Sequence, residues 1–327
     1  MERDLLSIVI FSHERLSQLE VAVESALAAN RECPVLIVDD ASQSPVMVEG
    51  LTCLEQHDRV TVYRRRNRLR SWNQRGGFYS NIRFALRTVK SPFALLMEDD
   101  QQITRCLSIS EIQQIGDCLS RLKSPFMGVT FANGKDTYLP SDGAFKQNLF
   151  VKNKQTSYST NAIVHIARLK EHRFRIGPSA QATDSAAAAY FGPHPVWPVP
   201  VIAYRPNNHG FRFGSPIGES QTTAEAKESS YYQVSLDDVV RMRSMFPEVP
   251  TVTEFLRLRG AVEYPQSSSL REAKGRKSAF QRLWYFLTTR AYLFAMKVGY
   301  WRRRKAVSDL VTLAPAKLNH TNRTDVA

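Results

Sequence analysis

The sequence predicts an α/β protein with a mainly parallel central sheet flanked by helices and a C-terminal helical extension. Three observations carry this. Short Val/Ile/Leu-rich runs alternate with helical apolar spacing through the first hundred residues. Strand–helix–strand alternation at that spacing builds a parallel sheet covered by helices. Two acidic clusters, Asp39-Asp40 and Glu98-Asp99-Asp100, close two of the runs. Ligands of such sheets bind beyond the carboxyl ends of the strands, where these acids stand.

The first strand is "LLSIVIF" (5–11), followed by a helix in which Leu19, Val23, Ala26 and Leu27 recur at helical spacing behind the candidate cap Ser17. "PVLIVDD" (34–40) and "RVTVYRR" (59–65) are the next strands. Phe78, Ile82, Ala85, Leu86 and Val89 then mark a second helix before the strand "PFALLMEDD" (92–100). "SISEIQQIGDCLSRL" (108–122) carries a capping box, Ser108 to Glu111, ahead of an amphipathic helix that serves as scaffold. "NAIVHIARLKE" (161–171) is a strand running into a helix, "GPSAQATDSAAAAYF" (177–191) a polar loop entering an Ala-rich helix, and "LDDVVRMRSMF" a further helix.

Composition narrows the class. The chain has 327 residues, 43% hydrophobic and 23% charged, as in an ordinary globular protein. Its net charge is +13, of which the stretch Arg271–Lys305 holds +10. A neutral body with a basic tail points to a local electrostatic contact rather than to a nucleic-acid-binding protein, although Arg64–Arg75 and the tail together keep that alternative open. Cys33, Cys53, Cys106 and Cys118 show neither disulfide-type nor metal-type spacing, so free thiols in a reducing compartment are expected. "MERDLLSIVIFSHER" lacks the basic start of a signal peptide, and Arg290 and Lys297 interrupt the most apolar C-terminal stretch. The expected location is cytoplasmic, peripheral on the inner face of a membrane.

The first glycine is Gly50, so the turn "FSHERLSQ" after the first strand has no phosphate-cradling glycine loop. A diphosphate bound there needs other positive charge, and a divalent cation held by carboxylates supplies it.

In order and spacing, "SIVIFSHER", "VLIVDDAS", "RRRNRLRSWNQRGGFYSNIRFAL" and "FALLMEDDQQI" resemble the nucleotide half of family 2-type GT-A glycosyltransferases. The likeness covers about the first 105 residues well and the next hundred loosely. It implies the GT-A fold and inverting transfer of a sugar from a nucleotide-diphosphate donor, a UDP-sugar first of all. The acceptor would be a hydroxyl of a glycan or lipid-linked glycan, as in surface polysaccharide synthesis, and the cation Mn2+ or Mg2+. A nucleotidyltransferase or a retaining transferase on a related fold is the alternative; the missing glycine loop speaks against the former.

By the same resemblance Asp100 is the metal ligand and Asp99 lies near the ribose. Ser12, Asp39 and Asp40 face the nucleotide, Arg75 (or Arg70) and Asn81 contact it, and Gly76-Gly77 allow a tight entry into the helix of Asn81. Glu98 stands where the motif more often has aspartate or a small residue. Asp184 matches the aspartate of the family's E-D pair, the general base on the acceptor hydroxyl; Thr183 replaces the glutamate, and a helix-capping role for Asp184 is the alternative. His209 matches a histidine that supplies a further metal ligand or a diphosphate contact, or is structural. Trp197 either stacks on an acceptor sugar or packs, and His165 is a core histidine.

The implied organisation is a nucleotide-sugar half at 1–105, an acceptor half at 106–215, a variable extension at 216–265, a basic amphipathic helical tail at 266–306 and a polar end at 307–327 that is expected to be disordered. In the tail, Phe280, Trp284, Leu287, Ala291, Phe294, Val298 and Trp301 follow a 4-3-4-3 spacing between basic flanks. This fits an interfacial helix on an anionic membrane. A docked helix or a homodimer seam satisfies the same spacing.

Overall fold

In a computed structural model the chain is described at residues 5–64, 77–131, 137–140, 149–153, 160–205 and 230–259, and at 287, 290, 291 and 294. The strands are β1 (Leu6–Ser12), β2 (Val35–Asp39), β3 (Val60–Arg64), β4 (Phe93–Glu98), β5 (Gln101–Ile103), β6 (Phe126–Gly128), β7 (Thr137–Pro140), β8 (Phe150–Asn153), β9 (Ala162–His165), β10 (Pro195–Val196) and β11 (Ile202–Tyr204). The helices are α1 (Leu16–Ala29), α2 (Pro45–Glu55), α3 (Phe78–Thr88), α4 (Ile109–Leu122), α5 (Ile166–Glu171), α6 (Ala180–Phe191), α7 (Leu236–Ser244) and α8 (Val252–Phe255).

A nine-stranded sheet runs β3-β2-β1-β4-β9-β6-β10-β8-β7, and β11 pairs with β5 beside it. The first four in that row are parallel, and β9 then enters antiparallel between β4 and β6. β1 is buried at every position because both of its faces are covered. Ile8 and Ile10 point into one apolar cluster with α1, α2 and α4; Val9 and Phe11 point into the other with α3, α5 and α6. The period of two puts Phe93, Leu95 and Met97 of β4 in the first cluster and Ala94 and Leu96 in the second. Truncating a side chain such as Leu95 to alanine leaves a cavity worth roughly 2–5 kcal/mol.

Three local expectations change. α1 begins at Leu16, and Arg15, not Ser17, occupies its N-cap, with no side-chain capping bond; the Arg15 side chain is drawn to Asp99 instead. β4 stops at Glu98, so Asp99 and Asp100 form a turn before β5 rather than the last residues of a strand. Gln101 closes that turn by accepting the Glu98 N–H at 2.9 Å. The second crossover holds α2, whose start is marked by Ser44 accepting from Met47 N and by Pro45 in the first turn.

The capping serine at 108 accepts from Glu111 N as expected, but the Glu111 carboxylate does not return to complete the box. It accepts both terminal nitrogens of Arg105, at 2.8 and 2.7 Å, and Trp197 Nε1 at 2.7 Å. All three side chains are buried, so Trp197 packs and holds the scaffold. His165 lies edge-on to Phe93, with ring centres 4.9 Å apart. The four cysteines are free thiols.

Candidate functional site

The carboxyl ends of β2, β1 and β4 are neighbours, and the acids are held there by backbone geometry. Ser12 pairs with Asp39, and Phe11 with Glu98. Asp40 N donates to Ser12 O at 2.9 Å, and Asp99 N donates to Phe11 O at 3.0 Å. Parallel pairing therefore carries both clusters to one edge of the sheet.

Asp39 is buried and accepts from the Ser42 amide and hydroxyl; burial pushes its carboxyl up and Ser42 opposes this. That arrangement builds the turn after β2. Asp40 Oδ1 accepts Gly77 N at 3.1 Å and Asn81 Nδ2 at 3.0 Å, tying β2 to the entry of α3. Gly77 is the N-cap of α3 and Asn81 is buried. His13 stands between the clusters, with its N–H 3.3 Å from Asp99 Oδ2 and Nδ1 3.0 Å from Asp40 O. Glu14, at positive φ, lays its carboxylate on the amides of Gln43 and Ser44. Burial raises that carboxyl, but the two amides outweigh it and hold it low.

The second cluster is electrostatically loaded. Burial, then Asp100, push Glu98 well above the carboxylate range, with Thr160 opposing. Burial also raises Asp99, against the pull of Arg15. Three oxygen-donor acids within one turn are hard-ligand chemistry, so the donor set fits a divalent cation such as Mg2+ or Mn2+. Among the described residues no group of three or more His, Cys, Asp or Glu side chains is gathered to hold a metal by itself. The arrangement suits a cation that takes its remaining oxygens from a bound diphosphate.

Asp184 lies half-buried in the second turn of α6. The capping there falls to others: Ser179 Oγ accepts Ala182 N at 3.1 Å, and Thr183 Oγ1 accepts Gly177 N and donates to Ser179 O. Arg83 of α3 donates to Ile176 O and Gly177 O, fastening the approach to α6 onto the helix of Asn81. Ser12, Asp39, Asp40, Asn81, Asp99 and Asp100 are thus gathered at one sheet edge. Arg70, Arg75 and His209, and all of the tail except Leu287, Arg290, Ala291 and Phe294, lie outside the described residues.

The sequence reading missed two arginines and a polar network. Arg15 Nη2 is 2.6 Å from Asp99 Oδ1 and Nη1 is 3.7 Å from Asp100 Oδ2. Arg205 N donates to Asp100 O at 3.1 Å, and burial lowers the Arg205 guanidinium to about 10. On the β9 side, Thr160 Oγ1 donates to Glu98 Oε1 at 3.0 Å, Gln101 Nε2 donates to Asn161 Oδ1, and Asn161 Nδ2 donates to Tyr204 Oη at 2.7 Å. Asn161 sits at φ 65°, a conformation Asn tolerates better than most residues. Burial, Glu98 and Asp100 all raise the Tyr204 phenol. Of these, only Arg15 had a local signal, a basic residue in the turn after β1.

Residues 7–112 match the model of Glycosyl transferase family 2. Among solved structures, S. aureus TarS in complex with UDP has 16% identity and a TM-score of 0.43, over 61% of this chain and 59% of its own. GalNAc-T7 with UDP, GalNAc and Mn2+ has 11% identity and a TM-score of 0.45, over 61% and 43%. The mannosyltransferase PcManGT from Pyrobaculum calidifontis, in complex with GDP-Man and Mn2+, has 12% identity and a TM-score of 0.40, over 63% and 58%. The chain spans less than two thirds of each of these proteins. No curated protein matches it. The matched segment contains β1, β2, β4 and both acid clusters, so the likeness to Glycosyl transferase family 2 lies in the part of the chain that gathers those acids.

Proposed function

We propose that the protein is an inverting, metal-assisted glycosyltransferase that moves a sugar from a nucleotide-diphosphate donor, UDP-linked first of all, to a hydroxyl of a glycan or lipid-linked glycan. The observation that carries this is the convergence of Asp39-Asp40 and Glu98-Asp99-Asp100 on the adjacent carboxyl ends of β2 and β4, on either side of β1.

In this reading Asp100, with His209 as a further ligand, holds Mn2+ or Mg2+. The cation supplies a Lewis acid that bears the charge of the departing diphosphate. Ser12, Asp39, Asp40, Asn81 and Asp99 shape the nucleotide side, and Arg75 adds a cationic contact. Two of these act through the protein: Asp39 fixes the turn by its bonds to Ser42, and Asn81 orients Asp40. Asp184 takes the proton from the acceptor hydroxyl as it attacks the anomeric carbon from the face opposite the leaving group. Its place in the second turn of α6, whose N-terminus Ser179 caps, is in keeping with this role.

The basic amphipathic tail brings the enzyme to an anionic membrane surface carrying the acceptor, or pairs two copies. Among the described residues no helix is long and apolar enough to cross a membrane. Leu287 and Phe294 are exposed, at 51% and 71%.

The test is donor hydrolysis over a panel of nucleotide sugars, with and without Mn2+, for the wild type and Asp100→Ala. Activity on one donor that is lost with either change supports the proposal. Activity on none, or activity that survives both changes, removes it.

A further inference from the structure

The two guanidinium groups at the acid turn have no part in the reading above. Arg15 stands at the N-cap of α1 and reaches both aspartates, at 2.6 and 3.7 Å. Arg205 follows β11, is 4% exposed, and donates through Nη1 to Gln18 O at 3.4 Å. Gln18 Oε1 accepts from Arg15 Nη1 at 3.2 Å, so Gln18 joins the two arginines.

A divalent cation on Asp100 stands about 2.1 Å from a carboxylate oxygen. Arg15 in its observed place would then be a like charge within a few ångströms, in a partly buried site where such repulsion is strong. The cation and Arg15 therefore compete for Asp99 and Asp100. A displaced Arg15 has a matching target close by. The free N–H groups at the start of α1 open on the same edge and favour an anion, and a planar guanidinium fork fits two phosphate oxygens.

The geometry points to Arg15 as a positioning residue that carries the counter-charge of Asp99 and Asp100 until a divalent cation takes them, and then turns to the donor's diphosphate. This rests on the glycosyltransferase reading, since it requires both a cation site and a diphosphate. The exchange makes the cation alone a weak ligand and makes cation and diphosphate strengthen each other's binding. Gln18 and Arg205 hold the hinge side: their bonds leave Arg205 beside the aspartates while Arg15 moves.

The experiment is a titration of the full chain with Mn2+ alone, followed by electron paramagnetic resonance of free Mn2+, and with UDP at saturating Mn2+, followed by calorimetry. Wild type, Arg15→Met and Arg15→Lys are compared. Arg15→Met is expected to bind Mn2+ alone about tenfold more tightly and UDP about tenfold more weakly. Arg15→Lys keeps the charge but not the fork, so it should match wild type toward Mn2+ and lose affinity for UDP. A purely structural role would weaken both ligands together, and that result overturns the proposal. So does an unchanged Mn2+ affinity in Arg15→Met, while UDP binding by the wild type leaves the donor-site reading standing. Tighter Mn2+ with unchanged UDP overturns the turn toward the diphosphate. A wild type that binds neither Mn2+ nor UDP overturns the glycosyltransferase reading and this inference with it.

Discussion

Asn81 Nδ2 donates to Asp40 Oδ1 across 3.0 Å, joining a buried amide on α3 to the acid that ends the β2 motif. The bond fixes which way the Asp40 carboxylate faces. Asn81→Ala removes it and leaves a partly buried acceptor short of a donor, worth about 1–3 kcal/mol. Nucleoside-diphosphate affinity at saturating Mn2+ should fall about tenfold or more, and Mn2+ binding without nucleotide should not change. Calorimetric titration with each ligand checks both halves.

Glu98 gives the protein a pH-dependent stability. Its carboxyl is raised to about 8 in the folded chain by burial and by Asp100, against an ordinary value of 4.5. A raised folded-state value means that the folded protein binds the proton more tightly. Stability from this group is therefore full below pH 4.5 and is lost as pH rises through 8. Glu98→Gln keeps an acceptor for Thr160 without the charge. It should melt with wild type near pH 4.5 and above it at pH 8.5, by at most roughly 4–5 kcal/mol. Scanning calorimetry across that range is the check, and saturating Mn2+ should close the gap, because a cation also relieves the charge.

The Arg105–Glu111–Trp197 contact is a scaffold element with a predictable weight. Both charges are buried, at 3% side-chain exposure each, and bonded through two nitrogens of Arg105. Glu111→Ala strands Arg105 and should cost about 3–5 kcal/mol. Trp197→Phe loses only the indole donor to Glu111 and should cost about 1–2 kcal/mol. Denaturant unfolding of the two variants should keep that order, with kcat falling only as the folded fraction falls.

The tail makes a separable prediction. Replacing Arg302, Arg303, Arg304 and Lys305 with glutamine removes four charges worth about 1 kcal/mol each at an anionic surface. Co-sedimentation with vesicles containing phosphatidylserine should drop steeply, while hydrolysis of a soluble donor holds. Unchanged co-sedimentation excludes the tail as the membrane contact.

What the sequence made legible follows from how locally each feature is determined. β1, β2 and β4 were readable because strands covered on both faces must be apolar throughout, and their acids follow where the apolar run ends. α2 carries a weak sequence signal: Ser44 and Pro45 mark its start, but only Met47 and Leu51 of that helix are buried. The second half of the sheet was hidden for another reason: β6 spans three residues and β10 two, too short for any periodicity to register. At the site, the carboxylates were legible as residues but their partners were not. Arg15 meets Asp99 only because β1 and β4 are neighbours, and Glu111 matched a local capping pattern while its carboxylate was committed to Arg105 and Trp197.

Glu14 turns from the end of β1 onto the amides of Gln43 and Ser44, just ahead of α2, while Ser42 Oγ accepts the Glu14 N–H at 2.9 Å. The first two turns of the protein are in this way buttoned to each other in both directions. Neither can be exchanged alone: a new sequence in one leaves donors or a carboxylate stranded in the other. Under the proposed function, a change of nucleotide at this edge must therefore rewrite the two turns as a pair, and the pair is the unit on which selection of a different donor would act.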